Sequence, residues 1–339
     1  MRELQEKVSA WLADELQWNR PAFTAALSGG NSNLTWQFSS DEGSCVVRTT
    51  PSEAISPNSG RGIEREAKVL AAVAGRVKAP KLHAYCSDLG VIGRPFLVQE
   101  CIDGVSITDT LPAAYTDPVD SANKLGLDLI AQLAAVHAIT SPDPALDGLG
   151  RPDQFVDRQI NRWLGVRAQE SVRPLPLLFE LGEWLKQNIP VSEGAALTHG
   201  DYHLDNTLVD KHAPEIRAII DWELATVGEP AMDVALALLF WGEQRIPQPP
   251  GFSHLQAISR HDGVIGRRDL ATHWSVLTGR SIEHMGYYVA LAAWRLAAIV
   301  EGAYCLYQHG KVSTTYAASL ERDVPALLQE AEHAARGDW

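Results

Sequence analysis

The sequence predicts an α+β protein of two lobes, a small β-rich lobe over residues 1–101 and a large helical lobe over residues 102–339. Three observations carry this expectation. A chain of 339 residues, 45% of them hydrophobic, can bury a sizeable core and at that length normally divides into two units. Short alternating strand patterns crowd the first hundred residues. From Ser121 onward apolar residues recur at helical spacing almost without a break, apart from one loop and its strand.

The N-terminal stretch MRELQEKVSAWLADEL mixes acids and bases through an amphipathic helix and lacks the apolar centre of a secretory signal. Residues 27–33 read LSGGNSN; residues 34–38 then alternate as a strand, and after the Asp41-Glu42-Gly43 turn residues 44–48 form its hairpin partner. Gly29 and Gly30 let backbone approach a phosphate closely, and Ser32 and Asn33 can donate hydrogen bonds. Such a stretch alone is usually just a turn; its place before a hairpin favours the phosphate-binding reading. Arg48 ends the second strand. Residues 62–73 (GIEREAKVLAAV) repeat at helical spacing, with Glu66 a plausible partner for Arg48, although an ordinary surface bridge would use the same pair. Residues 93–104 (GRPFLVQECIDG) read as a strand leading out of the small lobe, so backbone groups of Glu100 and Ile102 are placed to meet an adenine edge. Pro112 and Pro118 punctuate the crossing. A helix over residues 121–139 follows, with Leu125, Leu129, Leu133 and Val136 on one face and His137 expected as a satisfied core histidine.

The chemistry concentrates in residues 197–223, LTHGDYHLDNTLVDKHAPEIRAIIDWE. His199-Gly200-Asp201 is followed after four residues by Asn206, and the apolar run at 216–220 delivers Asp221. This is the spacing of a kinase catalytic loop, in which an Asp serves as base, an Asn binds a metal, and a second Asp at a strand end holds the metal that bridges the ATP phosphates. Phosphoryl transfer needs metal ions against phosphate oxygens and a carboxylate to place the attacking hydroxyl. Taken singly, HGD is a set of turn formers, and Asp201 a possible helix cap. A zinc cluster of His199, Asp201 and His203 is disfavoured, because zinc sites usually close with three or four His or Cys ligands and no CxxC or HExxH lies nearby.

The formal charge of −13 provides no global field for nucleic acid or an anionic membrane, so neither is an expected partner, and an anionic substrate would need a local basic patch. Cys45, Cys86, Cys101 and Cys305 are scattered and read as buried thiols of a reducing compartment. Arg295 interrupts the longest apolar run short of a membrane span, so a cytoplasmic protein is expected.

From about residue 27 to residue 310 the chain resembles the aminoglycoside phosphotransferase superfamily, whose fold is protein-kinase-like. Within it, the nearest branch is that of the kinase domains of acyl-CoA dehydrogenase family members 10 and 11. The resemblance rests on GGNSNLTW (29–36), VVRTTP (46–51), EREAKVL (64–70), PFLVQECIDG, DRQINRW (157–163), LTHGDYHLDN, IIDWELATVGEPAMDVA (219–235) and AAWRLAAIVEG (292–302). It implies Asp201 as catalytic base, Asn206 and Asp221 as magnesium ligands, and Arg48 with Glu66 ordering the ATP phosphates. Gly30, Ser32 and Asn33 would line the phosphate loop, and Asp233 would anchor a helix beneath the catalytic loop. Two departures stand out: Arg48 replaces the superfamily's usual Lys, though the branch often has Arg, and His203 stands where branch members often carry Arg.

The implied activity is ATP- and magnesium-dependent phosphorylation of a hydroxyl on a small molecule, first of all a hydroxyacyl-CoA. The alternatives are an antibiotic kinase and a non-catalytic nucleotide-binding module, against which the complete Asp201, Asn206 and Asp221 set argues. Acceptor-side candidates are His203, Glu223 and an arginine-rich segment from Arg151 to Arg173. Within it Arg158 and Arg162 share a helix face, which fits either an anion-binding wall or a solvated surface.

Overall fold

The structure, a computed structural model, describes residues 1–27, 33–51, 59–242, 252 and 254–339. Helix α1 (Arg2–Leu16) leads into strands β1 (Ala22–Ala26), β2 (Leu34–Ser40) and β3 (Gly43–Thr49). Helix α2 (Ser59–Val73), β4 (Leu82–Cys86), the short α3 (Leu89–Ile92) and β5 (Phe96–Glu100) complete the small lobe. The five strands form one antiparallel sheet in the order β1-β2-β3-β5-β4. Alternation explains its two faces. Trp36, Phe38, Cys45, Val47, Phe96 and Val98 pack with Val8 and Leu12 of α1, so the amphipathic N-terminal helix covers one side. Arg48, between the core-facing Val47 and Thr49, is left for the cleft side.

After β5 the chain runs without regular structure to α4 (Pro118–His137), which starts with Pro118 in its first turn and Asp117 as N-cap, its side chain accepting the Asp120 N–H. Helices α5 (Phe155–Glu170) and α6 (Pro176–Gln187) follow. Next come β6 (Ala196–Thr198), β7 (Thr207–Val209), β8 (Ile216–Ile219) and β9 (Thr226–Gly228), then α7 (Pro230–Leu239), α8 (Arg267–Thr278), α9 (Met285–Gln308) and α10 (Thr315–Ala335). The sequence pattern pointed to a single strand here; the structure pairs β6 with β9 and β7 with β8. These three- and four-residue strands are too short to register as alternation. The expected turn and helices sit where the pattern put them, with ends shifted by a few residues.

Helix α9 is long and apolar enough to cross a membrane despite Arg295, but most of it is buried inside the protein against α10, α7, α5 and α6. It is the core helix of the large lobe. Four tryptophans are fully buried there, and each indole N–H has an acceptor: Trp222 donates to Ile219 O, Trp241 to Ile265 O, Trp274 to His137 Nδ1 and Trp294 to Leu178 O. His137 is thereby a core residue, as expected. All four cysteines are free thiols, three buried and Cys101 half-buried.

The α4 glycine Gly126 lies against the Trp241 ring, where an added Cβ would come within 2.5 Å of a ring carbon. The ring is held by its bond to Ile265 and cannot move aside. Gly126→Ala should therefore cost about 1–3 kcal/mol by overpacking. Gly165→Ala, on α5 where a Cβ meets nothing, should be neutral or stabilising by up to about 1 kcal/mol. Urea unfolding of the two variants checks this; equal stabilities would contradict the packing argument.

Candidate active site

The loop between β6 and β7 is fixed from beneath. Asp233, on the first turn of α7, accepts the backbone N–H groups of His199 and Gly200, the latter at 2.9 Å. The His137 imidazole stands 3.5 Å from the same carboxylate. Asp233 thus holds the loop itself, a more direct task than the helix anchor expected of it. Gly200 has φ +86°, and a Cβ there would meet the Leu224 carbonyl at 2.6 Å, so only glycine fits. His199 is fully buried against Trp222 and Tyr202. Its Nε2–H donates to Ile220 O at 2.9 Å, and Nδ1 accepts the Asp201 N–H at 3.4 Å. Both ring nitrogens tie this loop to the end of β8.

Asp201 emerges from this frame with its side chain 45% exposed. The Asn206 amide N–H donates to the Asp201 carbonyl at 2.8 Å and to its Oδ2 at 3.2 Å. His203 lies between two carboxylates, its Nε2 3.6 Å from Asp201 Oδ1 and its Nδ1 3.4 Å from Asp205 Oδ1. Burial works against the Asp201 charge, but the imidazole of His203 outweighs it and brings the carboxyl down to about 2. Burial likewise opposes charge on His203, and the two carboxylates push it up to about 9. His203 is therefore an imidazolium bound to the base. Asp205, which the sequence reading passed over, supplies its second contact.

Asp221 follows β8 in the left-handed conformation, φ 66° and ψ 56°, a placement tolerated by Asp at some cost. It turns the carboxylate toward the small lobe, where Arg48 meets it. Arg48 Nη2 is 2.6 Å from Asp221 Oδ1 and Nη1 is 2.9 Å from Glu66 Oε1, so one guanidinium spans both lobes. Burial of Arg48 disfavours its charge, yet Glu66 and Asp221 together raise its pKa above the ordinary value. Burial pushes the Glu66 carboxyl up to about 7 against the pull of Arg48. The pair is buried, which rules out the surface-bridge alternative.

Asn33 donates to Glu223 Oε2 at 2.5 Å, joining the segment before β2 to the one after Asp221. Gly29, Gly30 and Ser32 lie outside the described residues. Glu100 uses its N–H on Lys81 O within the sheet edge, whereas Ile102 follows in irregular chain with no backbone bond to another described residue. The residues present suit magnesium. Asn206 spends its N–H on Asp201 and keeps its carbonyl oxygen, Asp221 has one oxygen on Arg48 and one beyond it, and these are the hard oxygen donors that the ion takes.

A cavity of about 540 Å³ opens beside this cluster, reaching Gly200 and Glu223 and bounded by α2, α5, α7 and α9. Arg162 lines it. Arg158 does not: its guanidinium is turned back onto the Arg151 carbonyl. The expected pair of cleft arginines is thus reduced to one, because the face that the two share runs past the cavity rim. Arg167 and Arg173 are structural, the first beside Glu170 and Cys305, the second forked onto Glu301 and over the Tyr304 ring. Arg295, of no note in the sequence except as an interruption, also lines the cavity. Its only sequence signal is a lone cation in an apolar helix.

A sequence profile of the phosphotransferase enzyme family matches residues 24–262. Acyl-CoA dehydrogenase family member 10 of Mus musculus is 27% identical over 294 residues, covering 85% of this chain and 27% of that protein. Family member 11 of Rattus norvegicus is 28% identical over 291 residues, 84% of this chain and 36% of that protein. The chain thus spans only about a quarter to two fifths of the length of these curated relatives. A protein of Ralstonia eutropha assigned to the aminoglycoside phosphotransferases has a structure that superposes with TM-score 0.82 at 27% identity, covering 98% of each chain. At 14% identity, where only the fold is comparable, an aminoglycoside phosphotransferase solved with ADP and hygromycin B superposes with TM-score 0.61 over 96% of this chain and 98% of that one. With a profile match over more than half of its length, this two-lobed, kinase-like chain belongs to the phosphotransferase enzyme family.

Proposed function

We propose that the chain transfers the γ-phosphoryl group of ATP to a hydroxyl of a small molecule, with magnesium, and that the acceptor is a hydroxyacyl-CoA or a related acidic metabolite. The observation that carries the first part is the convergence of Asp201, Asn206 and Asp221 with the buried Arg48–Glu66 pair around one cleft. Asn206 and Asp221 would hold the magnesium ion, whose charge offsets that of the phosphate oxygens. Asp201, ionised throughout the physiological range, accepts a hydrogen bond from the acceptor hydroxyl. It takes the proton only as that oxygen becomes acidic on bonding to phosphorus. His203 and the Asn206 amide hold the carboxylate oriented for this. Glu66 fixes one end of the Arg48 guanidinium, leaving Nη2 for which phosphate oxygens compete with Asp221.

For the acceptor, support comes from likeness to the two acyl-CoA dehydrogenase relatives and from the cavity's charge. Its acids are already engaged: Asp233 by backbone N–H groups, Glu229 by the Ser192 hydroxyl, Glu223 by Asn33. An aminoglycoside, a polycation, would need carboxylates with nothing else to bind. The likeness to a structure holding hygromycin B keeps that reading as the competitor. Steady-state assays of 3-hydroxybutyryl-CoA against hygromycin B and kanamycin decide between them. Turnover of the thioester alone is expected, and turnover of the antibiotics alone would overturn the acceptor assignment.

Asp201→Asn should lower transfer by about 10²–10⁴ while nucleotide affinity stays within twofold to threefold. Asp221→Ala should instead abolish the gain in nucleotide affinity that magnesium confers, read by calorimetry. Full transfer by Asp201→Asn would refute its role as base.

Arg48→Ala and Glu66→Ala should each damage catalysis by similar factors, with the double variant little worse than either. A coupling of about 0.5–3 kcal/mol is expected in that cycle. Independent, multiplicative losses would mean that the pair does not act as a unit.

A further inference from the structure

Helix α9 carries two charged residues, Arg295 and Glu301, among apolar neighbours. They are treated differently. Glu301 is fully buried and satisfied by the Arg173 fork, with contacts of 2.6 and 3.2 Å. Arg295 is partly buried at the cavity wall, its Nε sealed from solvent without a hydrogen-bond partner. No carboxylate of the described residues comes within ion-pair distance of it. Burial holds its charge below the ordinary pKa; the more distant Asp233 and Asp201 work against this, and Arg162, a second cation on the same cavity, adds to it.

A guanidinium withdrawn from water without a partner is costly, and two such groups facing one cavity repel each other. The acids that could have neutralised them are committed elsewhere, as Asp233 is to the catalytic-loop N–H groups. An arriving oxyanion would relieve both penalties at once, and the planar fork of arginine suits carboxylate and phosphate alike. The same cavity offers Phe155, Leu224 and Met232 as apolar surface for a carbon skeleton.

Resting on the reading of this cavity as the acceptor site, we propose that Arg295, with Arg162, forms an anion-recognition pair. It holds an oxyanion of the acceptor, a carboxylate or a phosphate, while the hydroxyl lies at Asp201. Arg295 is then a specificity-determining residue, and Arg158 is not part of the pair. The arrangement selects acidic hydroxy compounds and rejects polycations.

The test is calorimetric binding to protein saturated with magnesium and the non-hydrolysable nucleotide AMP-PNP, so that no transfer occurs and the phosphate site is filled. The probes are 3-hydroxybutyrate, its uncharged counterpart 1,3-butanediol, and 3-hydroxybutyryl-CoA. Wild-type protein should bind at least one charged probe ten times or more tightly than the diol, and less so as salt is raised. Preference for the free hydroxy acid would identify a carboxylate as the group read, and preference for the thioester alone the CoA phosphates. Arg295→Gln and Arg162→Gln should each erase the preference, Arg295→Lys should restore part of it, and Arg158→Gln should keep it. Arg162 is exposed, so its variant carries the test should Arg295→Gln fail to fold. Equal affinity for all three probes, no measurable binding of either charged probe, or a preference that survives loss of either arginine would overturn the pair. Those results would leave the phosphotransferase reading standing, because it is judged separately by transfer in the Asp201 and Asp221 variants.

Discussion

One buried guanidinium joins the two halves of this protein's chemistry. Arg48 rises from a sheet strand, Glu66 from the helix packed beside it, and Asp221 from the end of a strand in the other lobe. Removing one partner from such a buried set leaves an uncompensated charge, at a cost of about 3–5 kcal/mol. The three residues therefore hold each other's positions, and with them the closeness of α2 to the catalytic segment. Arginine suits the task better than lysine would. It can face a carboxylate on each lobe at the same time, where an ammonium would have to share one point charge between them.

Below that contact lies a second constraint, carried by Asp233. A short α7 whose first turn points a carboxylate at two consecutive backbone N–H groups allows the His199–Asp201 segment no slack. Gly200 takes the conformation that this demands, and the His199 ring closes the other side against Ile220. The side chain of Asp201 is thus the mobile end of an otherwise determined loop, and His203 and Asn206 orient that end.

Much of this was legible in the residues because it is local. The hairpin at 34–49, the helix carrying Glu66 and the spacing of Asp201, Asn206 and Asp221 each depend on neighbours within a few positions. What escaped depends on contacts far along the chain. Nothing within α5 distinguishes Arg158 from Arg162; the difference arises because the Arg151 carbonyl captures one and the cavity edge receives the other. Asp205 reads as an ordinary loop acid until His203 is seen between it and Asp201. Arg295 reads as a blemish in an apolar helix, since only the packing of α9 against α5 and α7 shows what lies in front of it. Paired β6–β9 and β7–β8 ladders were invisible for a related reason: three residues are too few to show a period.

The β7–β8 hairpin is clasped from both sides by chain belonging to the sheet lobe. Val105, just past β5, exchanges backbone hydrogen bonds with Val209 in both directions, and Lys78, just before β4, receives the Ile219 N–H and sends its ammonium to Ile216 O and Glu215. Asn33 and Glu223, by contrast, meet through side chains alone. Breaking a side-chain bond of that kind costs about 1 kcal/mol, far less than undoing a backbone clasp. Any opening of the two lobes is therefore a rotation about an axis through Lys78 and Val105, a door hung on the β7–β8 hairpin and latched at Asn33.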